Sequence, residues 1–557
     1  MYTNFNWVNE HSQKFIQRDY LAEGQTVPER VRVIADRFQG INGIEGIGDK
    51  FYDYMSRGFY SLSSPVWSNY ATTRGLPVSC FNSDISDNME NILFTAAEVG
   101  MLSKFGGGTS GYFGKLRPRG AAISNNGESF GAVHFMGMFD KVANVVSQGS
   151  VRRGQFSPYI DIDHGDFYDF VKIGTEEHTI QNTKHGVCVS DDFMNRVRDG
   201  DEEAQDRWAE VLRVRSEKGV PYIFFTDTVN RDTVDVYKEN NMKINASNMC
   251  TEIALPSSPD ESFVCVLSSM NISEYDEWKN TDAVEVLTMF LDSVVTEFLE
   301  RIDEMNEEIQ YLMRRVRKFA KEHRALGVGV LGWHAYLLKN EIPFESREAA
   351  KLNLEIFKKI NNDAYKASGK LAEIFGEPKL LKGKGRRNTT LLAVAPTKSS
   401  SYILGQVSMS IEPEFSNYYV KDCAKDKMTW KNPYLVPVLE RHNQNTKEVW
   451  LSIRAQDGSV QHLDFLTDQE KQVFKTIYEI DPEAILNQAA VRQPYIDQGQ
   501  SINIMVDPQM PTREINRLYF TAWELGLKTL YYQYSLSEAQ AFMRERAKNE
   551  GCIACEG

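Results

Sequence analysis

The chain has 557 residues, 42% hydrophobic and 25% charged, a composition that buries a large core and excludes disordered, collagen-like and disulfide-stapled proteins. At about 150 residues per domain, the length allows roughly three or four units. Sixty-three basic against 77 acidic residues leave a net charge of -14, which argues against a protein that coats nucleic acid but leaves room for local phosphate sites.

No leader is expected, since the N-terminal segment is already charged at Glu10, and an odd count of seven cysteines fits a reducing compartment. A cytoplasmic location is therefore expected. The stretch 325–338 is weakly polar but falls short of the ~20 residues that span a bilayer.

In chain order, apolar residues at helical spacing predict a helix over 26–38. Thr26 or Val27 stands before it, and Pro28 falls in its first turn, where a missing N–H costs nothing. Glycines crowd the segment Lys104–Lys115, read as a loop near an anion, with Arg117 and Arg119 behind it. Short β-rich runs at Tyr222–Phe225 and Leu391–Ala395 alternate with amphipathic stretches at Ala283–Met305 and Ser346–Phe375. That alternation favours an α/β architecture with largely parallel strands. Lys379–Arg387 reads as a solvated basic connection, Pro511–Tyr534 as a helix, and the rest as a polar tail ending in Cys552 and Cys555.

Several groups of residues carry chemistry. Cys552 and Cys555, spaced Cys-x-x-Cys, suit a dithiol that exchanges disulfides better than a zinc site, because no second ligand pair exists. In an extended strand, Asn248, Cys250 and Glu252 would share one face, although a lone Cys is more often a small core residue. Pro396–Ser401 follows a β-like run with hydroxyls and N–H groups suited to a diphosphate, against the blander reading of a Ser-rich turn. Tyr531 and Tyr532 would ordinarily be aromatic core. Cys188 and Cys423 read as structural thiols.

Ser79-Cys80, Asp87, the glycine-rich segment with Lys104 and Arg117, and Gln148–Gly154 stand in the same order as Asn248–Glu252, Cys265, Pro396–Ser401, Ile411–Pro413, Tyr531-Tyr532 and the terminal cysteines. Together they resemble the catalytic large subunit of class I ribonucleotide reductase over nearly the whole chain. The resemblance implies a ten-stranded α/β barrel made of two antiparallel halves of five parallel strands, with a helical N-terminal region. It divides the chain into 1–75 (helical), 76–534 (barrel) and 535–557 (redox-active tail). The implied reaction is radical-dependent reduction of ribonucleoside diphosphates to 2′-deoxy forms. Cys250 would carry the thiyl radical, Glu252 would act as base at the 3′ hydroxyl, and Asn248 would orient the substrate hydroxyls. Cys80 and Cys265 would supply the electrons, and Cys552 and Cys555 would restore them.

Ser79 and the run Pro396, Thr397, Lys398, Ser399, Ser400 and Ser401 would hold the substrate. Lys398 departs from the small residue of many members. Asp87, Lys104, Arg117 and Ile123 match positions that bind a dNTP or ATP effector. The segments Ser124–Ser129 and Gln148–Gly154, including Gly149, Arg152 and Arg153, match loops that couple effector to substrate choice. Tyr531 and Tyr532 would relay a radical from a ferritin-like, metal-containing small subunit. The chain itself would carry neither a metal nor a covalently bound cofactor. Thioredoxin or glutaredoxin is the implied reductant and a homodimer the implied assembly, with no nucleic-acid or membrane partner. An N-terminal ATP-cone and a glycyl-radical motif are missing from the match. The alternatives are a cobalamin-dependent reductase and a catalytically silent dNTP-binding paralogue, the latter opposed by the full set of redox cysteines and Glu252.

Overall fold

The structure, a computed structural model, describes residues 5–535 apart from 147, 149–153, 182, 424–425 and 508. Near the N-terminus, the helix Val27–Asn42 starts where the sequence predicts. Thr26 and Glu29 form a reciprocal capping box, and Pro28 lies in the first turn. Its apolar face buries Val31, Ile34, Ala35 and Phe38. Phe38 meets Phe290 of the helix Ala283–Asp303 edge-on at 5.5 Å between ring centroids. Arg30 is buried in the same layer, and its guanidinium donates to the carbonyls of Val66, Trp67 and Tyr70.

Five parallel strands follow, at Cys80–Asp84, Gly108–Tyr112, Gln155–Asp161, Gly186–Val189 and Tyr222–Phe225, each paired with the next. A second parallel set begins with the nine-residue, wholly buried strand Phe263–Asn271, which pairs with Leu326–Leu331. It continues through 391–395, bridged in parallel to Val328 on one side and Gln500 on the other. The last two members are the run ending in Ile504–Val506 and the terminal run 529–535, which pair in parallel. Antiparallel seams join the sets at both edges, Cys80–Asn82 against Phe263–Cys265 and Ile223–Phe224 against Thr529–Leu530. The ring is therefore closed, a ten-stranded α/β barrel of two five-stranded halves with no open edge. Helices pack outside it, so Tyr222–Phe225 reads as a continuous apolar run, while Cys80–Asp84 and Gly108–Tyr112 are buried although polar in sequence.

Three local expectations change. The segment Lys104–Lys115 is not an anion loop, because the helix Met89–Lys104 ends at its start and Gly108–Tyr112 is a buried barrel strand. Its glycines serve packing: a Cβ on Gly111 would sit 2.9 Å from both Ile85 and Phe156. The helix expected to reach Tyr534 stops at Glu524, past which Gly526 turns with φ +74° and the chain enters the barrel as strand. Pairing with Ile223 and Phe224 outweighs the helical pattern there. In the basic connection, Arg387 is not solvated, since it donates to the buried carboxylate of Asp292 at 3.0 Å.

Candidate active site

Asn248, Cys250 and Glu252 lie in a loop threaded into the barrel, and all three are buried. The extended strand expected there is absent. Asn248 and Ile253 close on each other instead, with Asn248 N donating to Ile253 O at 3.2 Å and Ile253 N to Asn248 Oδ1 at 3.0 Å. Thr251 takes φ +70° at the tip, a left-handed conformation that costs a β-branched residue energy and needs surrounding structure to hold it. Ser501 supplies part of that support by donating to Cys250 O and, at 3.4 Å, to Glu252 Oε2, while Gly499 N donates to Glu252 O at 2.7 Å. Glu252 Oε1 has no partner among the described residues. Burial pushes the Glu252 carboxyl up to about 7, against the opposing pull of its own backbone N–H, Asn248 and Ser501. Such a carboxyl exchanges a proton near neutrality.

Cys80 and Cys265 stand directly opposite each other across the antiparallel seam. Cross-strand partners have Cα atoms about 4.5 to 5.5 Å apart, within the range a disulfide spans. Ser79 Oγ lies 3.8 Å from Cys80 Sγ, and Gln498 Nε2 is 3.6 Å from Cys265 Sγ. Burial drives the Cys265 thiol well above its ordinary range, with the neighbouring Cys80 and Glu252 adding to the rise. Two buried thiols and one buried carboxyl thus lie within electrostatic reach of one another.

Pro396–Ser401 leads into a short helix, Lys398–Ile403, with Thr397 at its N-cap in a left-handed conformation. The Thr397 hydroxyl accepts from Ser410 N at 2.7 Å, and the Ser401 hydroxyl donates to Val407 O. Ser401 thus spends its hydroxyl donor on the protein, whereas Thr397 only accepts, so an anion there would meet the Thr397 O–H and the first-turn N–H groups. Glu412 of the Ile411–Pro413 motif accepts from Asn503, whose Oδ1 in turn accepts from Tyr532 N at 3.1 Å.

Tyr531 is buried and Tyr532 half-buried, with ring centroids 4.3 Å apart. They lie one strand away from the run Gly499–Asn503 that supports the Cys250 loop, since Tyr531 N donates to Ile502 O at 2.8 Å.

Asp87 and Arg117 form an ion pair at 2.7 Å, and Arg117 also donates to Ala122 O beside Ile123. Lys104 is not with them. Asp87 precedes the 16-residue helix that Lys104 ends, which separates them by about 24 Å at 1.5 Å per residue. Gln148 reaches Asn69 at 3.4 Å. Gly154 is required by proximity rather than by freedom of its backbone, since a Cβ there would lie 2.2 Å from Ala143 O. Gly149, Arg152, Arg153, Cys552 and Cys555 lie outside the described residues. Cys188 is buried and donates to Asn245 O at 3.2 Å, as a structural thiol does. Among the described residues no group of three or more His, Cys, Asp or Glu side chains could hold a metal, and no helix is long and apolar enough to cross a membrane.

The profile of the family described as "Ribonucleotide reductase, barrel domain" matches residues 78–205, 201–380 and 378–533. The chain belongs to the ribonucleotide reductase family. The reductase is 30% identical over 596 residues to the ribonucleoside-diphosphate reductase large subunit of invertebrate iridescent virus 3, covering 93% of this chain and 92% of that one. It is 28% identical over 645 residues to the large subunit of Caenorhabditis elegans, covering 98% and 80%. Among solved structures, the Actinobacillus ureae class Id ribonucleotide reductase alpha subunit superposes with a TM-score of 0.91 at 53% identity, covering 96% of this chain and 99% of that one. The reductase is an enzyme of this large-subunit kind, and the class I reading stands while the cobalamin-dependent alternative falls.

Sequence reasoning missed four residues of the reductase's interior. Gln498 and Ser501 touch the thiol and carboxyl chemistry from a polar run, Gln498–Ser501, that is wholly buried and has neither helical nor strand periodicity. The signal available was a run of polar residues and glycine, 497–501, between Ile496 and Ile502. Tyr222 packs on both members of the tyrosine pair, with centroids 4.8 Å and 5.1 Å away. Buried Arg215 holds their backbone, donating to Tyr531 O at 3.0 Å and to Tyr519 at 2.6 Å. Nothing local in the sequence marks either.

Proposed function

We propose that this chain reduces ribonucleoside diphosphates to 2′-deoxyribonucleoside diphosphates for DNA precursor synthesis, through a thiyl radical on Cys250. The observation that carries the reading is the opposition of Cys80 and Cys265 across one seam, within electrostatic reach of Glu252. The radical on Cys250 takes the 3′ hydrogen, and Glu252, about half ionised near pH 7, takes the 3′ hydroxyl proton. Asn248 orients the hydroxyls. As the 2′ hydroxyl leaves as water, Cys80 and Cys265 give up two electrons and two protons and become a disulfide. The hydrogen held on Cys250 then returns to the 3′ carbon and the proton held on Glu252 to the 3′ oxygen, which restores the thiyl radical, the carboxylate and the 3′ hydroxyl. Ser79 and the first turn after Pro396 receive the substrate, its diphosphate on the N–H groups near Thr397–Ser400. Lys398, half-buried at that turn, adds a cation beside it.

Tyr531 and Tyr532 pass the radical from a ferritin-like small subunit whose metal centre generates it. Cys552 and Cys555 reload the barrel pair by thiol exchange, drawing on thioredoxin or glutaredoxin. Dithiol cycling of this kind belongs in a reducing compartment, the basis for assigning the chain to the cytoplasm.

A dNTP or ATP effector binds at Asp87, Arg117 and Ile123, with the loops 124–129 and 148–154 carrying its identity to the active site. Met89, Leu93, Phe130 and Val145 expose apolar surface on and beside the helices Met89–Lys104 and Ala132–Val145, which supports a symmetric dimer across this face. In such a pair one subunit's Lys104 can approach its partner's Asp87, joining residues that a single chain holds apart. We also infer the division 1–75, 76–534 and 535–557, supported by the first barrel strand starting at Cys80.

The test is turnover of the four ribonucleoside diphosphates, with and without a radical-generating small subunit and a dithiol, under each dNTP. Product that requires the small subunit, lost in Cys250→Ala, is expected. Undiminished product from that variant would overturn the assignment.

A further inference from the structure

The aromatic ladder does not end at Tyr532. Tyr534 follows it two positions along the chain, in the strand Gln533–Ser535, and the two rings meet on one side. Their rings stack, with centroids 5.4 Å apart and planes inclined by 29°. Tyr531 is buried, while Tyr532 and Tyr534 are both partly exposed. The strand beneath them is held firmly. Gln533–Ser535 pairs in parallel with Ile504–Val506, Gln533 N donates to Gly219 O at 3.0 Å, and the Gln533 side chain joins Tyr519 and Ser216 on the opposite face. Tyr534 is thus the end member of three contiguous phenols, beyond Tyr532 from Tyr531 and partly exposed.

We infer that Tyr534 is a third relay tyrosine, the point at which the radical enters this chain before it reaches Tyr532; the inference rests on the radical reading above. A one-electron oxidant of the small subunit takes an electron from Tyr534, and the phenolic proton leaves to water or to a base of that subunit at the half-exposed rim. Tyr532 then gives Tyr534 one electron and one proton, which restores the Tyr534 phenol and leaves the radical on Tyr532. The same transfer repeats from Tyr531 to Tyr532. Finally the Cys250 thiol gives its hydrogen to Tyr531, leaving the thiyl radical. Each internal step moves one electron and one proton, and like phenols make the tyrosine hops nearly even in energy. Tyr222 differs from Tyr534 in position. It flanks Tyr531 and Tyr532 together from the barrel strand Tyr222–Phe225 and is wholly buried, so it positions the pair and opens no route outward.

The experiment uses the full chain with its radical-generating small subunit, substrate and effector. Tyr534→Phe keeps the stacked ring and removes the oxidisable hydroxyl. The expected result is a fall in kcat of tenfold or more, with the substrate KM and the affinity for the small subunit unchanged, and partial rescue in Tyr534→Trp, whose indole is oxidisable. With 3-aminotyrosine in place of Tyr534, an aminotyrosyl radical should accumulate in the electron paramagnetic resonance spectrum once substrate is added. Turnover of Tyr534→Phe within twofold of wild type would overturn the inference. So would a loss explained wholly by weaker small-subunit binding, or a radical trapped by 3-aminotyrosine at position 532 but not at 534. No turnover by the wild-type pair, and no trapped radical at either position, would overturn the radical reading itself.

Discussion

Replacing Glu252 with Gln removes a charge and preserves shape, so its effect isolates what burial does to this carboxyl. Burial raises the group from about 4.5 in the unfolded chain to about 7 in the folded protein. The folded state therefore keeps a proton that the unfolded state has released. Stability from this residue is full below pH 4.5 and is lost as pH rises through 7. A shift of that size corresponds to roughly 3 kcal/mol, at 1.36 kcal/mol per pKa unit, of which about 2.5 kcal/mol falls between pH 5 and pH 8. A chain of this length has an unfolding entropy of about 1.2 kcal/mol per kelvin. Changes in hydrogen bonding to Gln add an offset that does not vary with pH. The expected result in thermal unfolding is thus a Tm difference between Glu252→Gln and wild type that moves by about 2 °C in the variant's favour from pH 5 to pH 8. The variant should also lose turnover by a factor of about 100 or more, the worth of a positioned base, while wild-type turnover rises with pH through about 7. An equal Tm difference at both pH values would refute the reasoning, because the carboxyl would then carry no burial penalty.

Oxidation of the barrel cysteines is expected to be paired. In a variant lacking Cys552 and Cys555, one round of turnover without external dithiol should remove Cys80 and Cys265 together from alkylation, and product formed with both thiols still alkylatable would contradict their role. Gly111→Ala places a Cβ 2.9 Å from Ile85 and Phe156; overpacking should cost about 1 to 3 kcal/mol, read as a Tm lower by about 1 to 3 °C, and an unchanged Tm would show that the packing around this strand relaxes freely. Leu93 is exposed in the chain, so Leu93→Arg should shift the mass by light scattering from dimer to monomer and abolish the response to dNTP. A dimer that persists would place the interface elsewhere.

The order of the motifs along the chain was legible from residues alone, because each depends on neighbours in sequence. The Thr26 cap, the continuous apolar run Tyr222–Phe225 and the 3.6-residue period of the long helices are local signals. The residues of the candidate site were named through the resemblance to the reductase large subunit, and their geometry was not legible. Cys250 and Glu252 looked like neighbours on a strand, yet they sit on a loop whose shape comes from Asn248 closing on Ile253 and from Ser501, far along the chain. Gly111 looked like a flexible loop residue until the side chains of Ile85 and Phe156 claimed the space a Cβ would need. Leu527–Tyr534 carried a helical pattern, and pairing with the first half-barrel made it strand. Local sequence therefore determined the element types and the chemical groups available. Closure of two five-stranded halves decided which groups meet, because the contacts that join Cys80 to Cys265 and Tyr222 to Tyr531 cross the seams of the barrel and have no short-range signal.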